Sequence, residues 1–355
     1  MRKEISALDL YYIVQELQEI VSGKIDRIFH PGEKELLLQV HIPNKGKKML
    51  YFTGSFLYFT NNKPEMDKPS GFCSFLRKRL ENARIKEVKQ IGFERILEIV
   101  FSLKEGEMSL IFEFMPPRNI ILVEKGNILS AAEYREFSDR VIKPNEIYKS
   151  PTSKVNIFEI TLNRIEEILE KSDRESIVKC LAMEFGLGGM YSEEVIFLSG
   201  IEKDKKPIEI NEMQKENLLK AIVELKNKKI DPKIVYENSK VKEVIPFFMK
   251  RYEEFETKSV ESYSEVFRIV LDELREQIAE GELTKKYEEK IEKKKKILEE
   301  QQRRMIDLEL EMEENSKKGN FIYENYQKVK ETLEVAKKGE LKDMNKKEKS
   351  VVVEL

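Results

Sequence analysis

Hydrophobic positions along this chain change period several times, and each change predicts an element. From Ser6 to Val21 the apolar residues Leu10, Ile13, Val14, Leu17, Ile20 and Val21 recur at helical spacing, with Gly23 placed just past them as a C-cap. Strand-like runs follow, KIDRIFH, ELLLQVHI, KMLYFTG and LYFT, separated by Pro-Gly, Pro-Asn and Gly-Ser turn signals. Phe72, Phe75, Leu76 and Leu80 then return to helical spacing, with Ser70 as N-cap and Pro69 outside the helix. Beyond it lie IKEVKQI, RILEIVFSL, MSLIFEFM, RNIILVEK and NILSAAEYR, the last two joined by a hairpin turn at Lys125-Gly126-Asn127. Strand runs broken by two helices predict an α+β fold with antiparallel sheets, ending near Pro151.

From about Ile157 to Asn227 the pattern is helical. Within it ESIVKCLAMEF, GLGG and MYSEEVIFLSGI read as two short helices joined by a glycine-rich hairpin, where glycine permits backbone angles closed to other residues. Such a hairpin can present backbone N–H groups to a phosphate, or be an ordinary pair of packed helices; Glu184, Glu193 and Glu194 nearby argue against phosphate. KIVYENSKVKEVIPF reads as a β-hairpin turning at Asn238-Ser239. A helical arm begins near Ser262, in which Ile291, Leu298, Met305 and Met312 repeat every seven residues. The companion seam, Tyr287, Lys294, Gln301 and Leu308, is half polar, so the arm calls for a partner helix; Gly281 is a candidate bend. A second helix spans Asn320 to Lys338, and the chain then runs through Lys-rich sequence into VVVEL, a strand-like end with nothing to pair with, which reads as a fragment of a longer protein. The expected divisions are 1–155, 156–230, 231–260, 261–318 and 319–355.

Composition sharpens this only locally. The 355 residues are 37% charged with a formal net charge of −2, so the chain as a whole is not drawn to polyanions. Between Phe72 and Lys89, however, Arg77, Lys78, Arg79, Arg84, Lys86 and Lys89 face only Glu81 and Glu87, six against two, a local net of +4. That is the electrostatic footprint of an anionic partner, RNA phosphate first among them, with a merely solvated charged face as the alternative. The abundance of Lys and Glu points towards a thermophilic source. Two cysteines, Cys73 and Cys180, are too few for a disulfide framework or a metal cage, and Cys73 falls on the apolar side of its helix. No apolar run reaches 18 residues and MRKEISALDL lacks a signal-peptide core, so no membrane contact and a cytoplasmic location are expected. Phosphate-loop, nucleophile-elbow and dinucleotide motifs are all absent from the sequence, His30 reads as a turn residue, and neither an enzyme nor a cofactor is expected.

The basic helix also carries a resemblance. Phe-x-x-x-Leu-Arg-Lys-x-Leu followed by Arg-Ile resembles the signature helix of the NFACT family, the ribosome quality-control factors that include NEMF and RqcH. ALDLYYIVQEL, RNIIL, GLGGMYSEEV and YENY match further stretches in order. The resemblance is to a protein of archaeal type, truncated at its C-terminus. It implies a glycosylase-like N-terminal α+β domain, a helix-hairpin-helix domain and a long antiparallel coiled-coil arm. The related glycosylases use an N-terminal proline amine; Met1-Arg2-Lys3-Glu4 offers none, so their chemistry is not expected here. By resemblance Asp9 engages tRNA, where its bland reading is a carboxylate near a positive helix end worth about 0.3–1 kcal/mol. Glu94 and Arg95 fall where the family has an Asp-Arg pair; the glutamate is a departure, while Arg95 can grip phosphate, or else form an ion pair at a strand edge. The implied function is recognition of stalled large ribosomal subunits with peptidyl-tRNA attached. Aminoacyl-tRNA would be recruited there for untemplated C-terminal tailing of the nascent chain, with contacts from Asp9, Arg77, Lys78, Arg79, Arg84, Glu94 and Arg95. The large subunit, tRNA and the nascent-chain complex are the implied partners, and the arm offers a route to a dimer. The alternative is a coiled-coil adhesion or scaffold protein of the fibronectin-binding type.

Overall fold

The computed structural model describes residues 2–63, 69–151, 155–338, 344–345 and 350–351, with the backbone alone over 275–287 and in the last two pairs. The chain divides into two bodies, 1–274 and 275–355.

In the first body, helix α1 (Ala7–Leu17) opens on a capping box: Asp9 N–H donates to Ser6 Oγ, and Ser6 N–H donates to the Asp9 carboxylate. The helix ends earlier than its apolar stripe, and a 3₁₀ turn over Gln18–Ile20 carries the last of it. Gly23 is not the left-handed residue after it. Ser22 takes that conformation (φ +70°), and Gly23 is needed instead for close approach, since a Cβ there would lie 2.7 Å from Val40 Cγ1 and 2.8 Å from the Ile20 carbonyl oxygen.

Nine antiparallel strands form one sheet: β1 (Lys24–Phe29), β2 (Leu36–Ile42), β3 (Gly46–Phe52), β4 (Leu57–Thr60), β5 (Arg84–Gln90), β6 (Ile96–Leu103), β7 (Gly106–Glu113), β8 (Asn119–Glu124) and β9 (Asn127–Ala131). The order β4-β3-β2-β1-β5-β6-β7-β8-β9 consists of two meanders joined where β1 meets β5. The sheet curls, because Phe52 of β3 packs on Phe112 and Phe114 at the end of β7 (centroids 5.0 and 4.9 Å apart) although four strands lie between them. Along β8 the pleat divides a continuous apolar run: Ile120 and Leu122 enter the main core, while Ile121 and Val123 join a smaller cluster on the other face with Ile96, Ile111 and Ile128. Lys125 and Gly126 both have positive φ, as a two-residue hairpin turn requires. Helix α2 (Gly71–Leu80) packs on β1 and β9, and α1 on β5 and β6. A small ladder, β10 (Arg135–Glu136) with β11 (Val141–Ile142), follows.

Helices α3 (Leu162–Lys171), α4 (Ile177–Met183), α5 (Gly188–Ser199) and α6 (Glu212–Asn227) come next, with α5 packed against α4 and α6. A three-stranded sheet places β12 (Lys233–Glu237) between β13 (Lys240–Ile245) and β14 (Glu256–Ser259). The first turns of α7 (Tyr263–Glu324) close the body, and their amides at Tyr263 and Ser264 donate to the Glu16 carboxylate of α1 at 2.6 and 2.9 Å. The main hydrophobic core runs from Ile5 to Val270, and both cysteines are buried within it.

In the second body α7 continues without interruption through Gly281 and breaks at Asn325, not near residue 319, before α8 (Tyr326–Lys337). Ile291, Leu298, Met305 and Met312 are each more than half exposed. The pairs Met344–Asn345 and Ser350–Val351 form a short antiparallel ladder; the rest of VVVEL lies outside the described residues. Among the described residues no helix is long and apolar enough to cross a membrane.

Candidate nucleic-acid interface

A cleft of about 670 Å³ is lined chiefly by three segments far apart in sequence, the N-terminal residues Arg2 to Ala7, the turn Phe93 to Arg95 before β6, and the loop between α4 and α5, with Met115, Pro151, Val155 and Glu243 at its edges. The loop owes its path to glycine. Gly186 and Gly188 both have φ +71°, Leu187 between them is fully buried, and a Cβ on Gly186 would rest 3.7 Å from the Phe93 ring. The N-cap residue of α5, Leu187, makes no side-chain cap hydrogen bond, and the amide end of that helix borders the cleft. Gln90 ties the turn to α1 by donating from Nε2 to the carbonyls of Ala7 and Glu94, both at 2.8 Å.

Two sets of charged groups meet at this cleft. At its mouth Arg95 Nη1 binds Glu4 Oε1, and Arg118 Nη2 donates to Glu4 Oε2 at 3.1 Å, so one carboxylate is held by two guanidiniums. Beneath it Asp9, 0% exposed, is the acceptor for four donors: Ser6 N–H at 2.7 Å, Arg2 Nη1 at 2.8 Å, and the hydroxyls of Tyr191 and Tyr263 at 2.6 Å each. Arg2 Nη2 also donates to the Tyr263 hydroxyl and to the Val244 carbonyl. The N-terminal segment, α1, α5, β13 and the start of α7 therefore share one polar knot. Burial, and then the adjacent Asp9 charge, pushes the Tyr191 hydroxyl well above its ordinary value, which keeps it protonated as a donor.

The basic helix is partly committed to the fold. Arg77 Nε donates to the Ile28 carbonyl at 2.8 Å and its guanidinium lies over Phe29, while Arg79 stacks on Phe75 at 3.6 Å. Lys78 is exposed. Arg84 is not on the helix at all: it begins β5, exposed, with Nη1 on the Ser22 carbonyl at 3.1 Å. His30 steadies the helix start. Burial lowers its basicity, so neutral His30 accepts from the Ser70 hydroxyl at Nδ1 (2.9 Å) and donates from Nε2 to the Glu33 carbonyl, while Ser70 Oγ caps Cys73 N–H.

Of the residues singled out from the sequence, the structure places Glu94 and Arg95 at the cleft and Asp9 directly below it, with the basic residues elsewhere on the surface. Sequence reasoning missed Arg2, Glu4, Arg118, Tyr191 and Tyr263. Tyr191 and Arg118 lie inside GLGGMYSEEV and RNIIL and could have been taken up from there; Tyr263 has no local signal. The acids that argued against phosphate are accounted for internally: Glu194 accepts from the amides of Lys250 and Arg251, Glu193 pairs with Arg251 at 2.6 Å, and Glu184 with Arg174 at 3.1 Å. Among the described residues no group of three or more His, Cys, Asp or Glu could hold a metal ion.

Comparison with known proteins bears on this geometry. The family model described as NFACT N-terminal and middle domains matches residues 6–355. The archaeal Rqc2 homolog aRqcH of Methanocaldococcus jannaschii is 29% identical over 351 residues, covering 94% of this chain and 52% of that protein. Ribosome quality control complex subunit 2 of Saccharomyces cerevisiae is 28% identical over 189 residues, 52% of this chain and 18% of its own length. Among solved structures, the N-terminal part of the fibronectin/fibrinogen-binding protein from Streptococcus suis superposes with a TM-score of 0.61 at 24% identity, over 76% of this chain and all of that one, a likeness of fold alone. The chain spans about half the length of the archaeal relative and less of the yeast one.

Proposed function

The chain belongs to the NFACT family, matched over residues 6–355, and from that premise we propose that it is a ribosome quality-control factor acting through RNA contacts of its first body. The observation that carries the reading is the cleft, where Arg2, Arg95 and the amide end of α5 converge, with Arg118 joined to Arg95 through Glu4. In this reading α4 and α5 act as a helix-hairpin-helix element, and the cleft receives tRNA held on a stalled large ribosomal subunit. Lys78, Arg79 and Arg84 contribute phosphate contacts from the flanking surface, joined by the outward part of Arg77. Arg95 and Glu94 touch the tRNA directly. Asp9, fully buried, acts as a positioning residue through Arg2. The long helix α7 forms the first strand of a coiled-coil arm that reaches over the subunit or pairs with a second copy.

Recruitment of aminoacyl-tRNA beside the nascent chain then supports its untemplated extension. The peptide-bond chemistry belongs to the ribosome, so the protein works as a cytoplasmic binding factor and not as an enzyme. Support comes from relatives that carry ribosome quality-control names. The link to fibronectin-binding proteins is one of fold alone, and no contact in the cleft favours an adhesive role. Pull-down of the intact chain from native lysate, followed by sequencing of bound RNA, is the test. Enrichment of tRNA and large-subunit RNA over total RNA is expected; recovery at background level would overturn the reading.

A further inference from the structure

We propose that Arg95 and Arg118 form a phosphate site which Glu4 keeps filled from within the chain, so that a phosphate group binds by displacing the Glu4 carboxylate. The identification of RNA as the source of that phosphate rests on the function proposed above; the site itself does not.

The clamp has the form of an anion site with an internal occupant. Each oxygen of Glu4 meets a different guanidinium, an arrangement that two oxygens of a phosphate reproduce while leaving further acceptor oxygens over. All three side chains are about a third exposed (Arg95 26%, Arg118 30%, Glu4 32%), so the carboxylate can leave and a ligand can enter from solvent. Arg118 is under-satisfied as it stands, because its Nε is buried with no hydrogen-bond partner. An ion pair at this degree of exposure contributes little to folding, and yields readily to a ligand of higher charge.

Arg118 is also held in place without help from Glu4. Its backbone has positive φ (+56°), and Lys34 Nζ donates to the preceding Pro117 carbonyl at 2.6 Å. Gly54 leaves room for its side chain: a Cβ there would meet Arg118 Cδ at 3.2 Å. Arg95 is fixed by its carbonyl, which accepts from Phe114 N–H at 3.0 Å at the entry to β6. Glu4 is followed by buried Ile5, whose N–H donates to the Ser55 carbonyl at 3.1 Å. Vacating the clamp therefore needs only rotation of the Glu4 side chain, with the arginines already arranged for the incoming ligand.

The test uses the full chain as wild type, Glu4→Gln, and Glu4→Gln combined with Arg95→Gln and Arg118→Gln. Each is titrated with inorganic phosphate at matched ionic strength and, separately, with a tRNA transcript. Glu4→Gln is expected to bind inorganic phosphate at least about tenfold more tightly than wild type, and the triple variant to lose that gain. Should Glu4→Gln fail to fold, Glu4→Asp replaces it, with an expected affinity above that of wild type. Equal phosphate affinity in wild type and the Glu4 variant, or a gain that survives loss of both arginines, would overturn the site. With tRNA, the Glu4→Gln complex is expected to show a salt dependence steeper by about one phosphate contact. Phosphate binding without tRNA binding would leave the site standing with a small phosphate compound as its ligand, and would count against the RNA reading alone. Binding of tRNA by wild type with both probes indifferent to Glu4→Gln would leave the RNA reading standing and remove the site.

Discussion

Asp9 accepts four hydrogen bonds and offers nothing to solvent, whereas Arg95, 86 residues further on, makes a half-open ion pair at the rim of the cleft. These two positions look alike as candidate contacts in sequence and differ sharply in what they support. Asp9→Ala removes the carboxylate on Arg2 Nη1 and leaves only Glu243, 3.4 Å from Arg2 Nε, to balance that guanidinium, a change that costs about 3 kcal/mol, the low end for a broken buried pair. For a body of this size the thermal midpoint is expected to fall by roughly 10 °C. Arg95→Ala is expected to hold the midpoint within a few degrees and to weaken tRNA binding instead. Thermal melts beside binding titrations check both; an equally unstable Arg95→Ala protein would mean that its ion pair serves the fold. That Asp9 stands near the positive end of a helix was legible from the sequence, and the capping box with Ser6 is the structural form this takes. Its other partners were not, since Tyr191 and Tyr263 lie 182 and 254 residues along the chain.

At the scale of elements, helix starts and hairpin turns follow local rules. Ser70, Thr161, Ser176 and Asn211 each cap the helix that follows, and the Asn238-Ser239 turn has positive φ at both residues. Helix ends were read less well: Ser22 and not Gly23 takes the left-handed angle after α1, a choice set by Val40 packing against the glycine. Helix α7 poses the sharpest question. Ile291, Leu298, Met305 and Met312 repeat at one heptad position and stand 54–66% exposed, so this stretch gains little from burial of its own. In a dilute monomer, amides across 288–312 are expected to exchange with solvent far faster than those of β6. Protection across 288–312 equal to that of β6, with no partner helix present, would contradict the proposed coiled-coil pairing.

On the scale of the whole molecule, charge is nearly balanced, so any affinity for nucleic acid must come from where the cations stand. If Arg77, Lys78, Arg79 and Arg84 make about four phosphate contacts, affinity for tRNA should fall with salt at a log–log slope of about −3. Charge reversal at Lys78 and Arg79 together is expected to lower the slope by about 1 to 2 while leaving the fold intact. Arg77 is the poorer choice, because its Nε also holds the Ile28 carbonyl. A flat salt dependence, or a slope untouched by the double reversal, would exclude this surface as the electrostatic contact.

The sequence by itself determined the kind and approximate extent of most elements, the local excess of positive charge around α2 and the family. Periodicity, caps and turn residues act over a few neighbours, and a family pattern is a linear string. The tertiary structure alone decided that two meanders join at β1 and β5 and curl until Phe52 meets Phe112, and that Glu4 lies between Arg95 and Arg118. It also decided that Asp9 serves inside a knot and not on a surface. Those contacts close loops of 91, 114, 182 and 254 residues. Nothing in the spacing of apolar residues says which distant donor meets which acceptor, because a helix or strand records only which of its faces is buried and not what buries it.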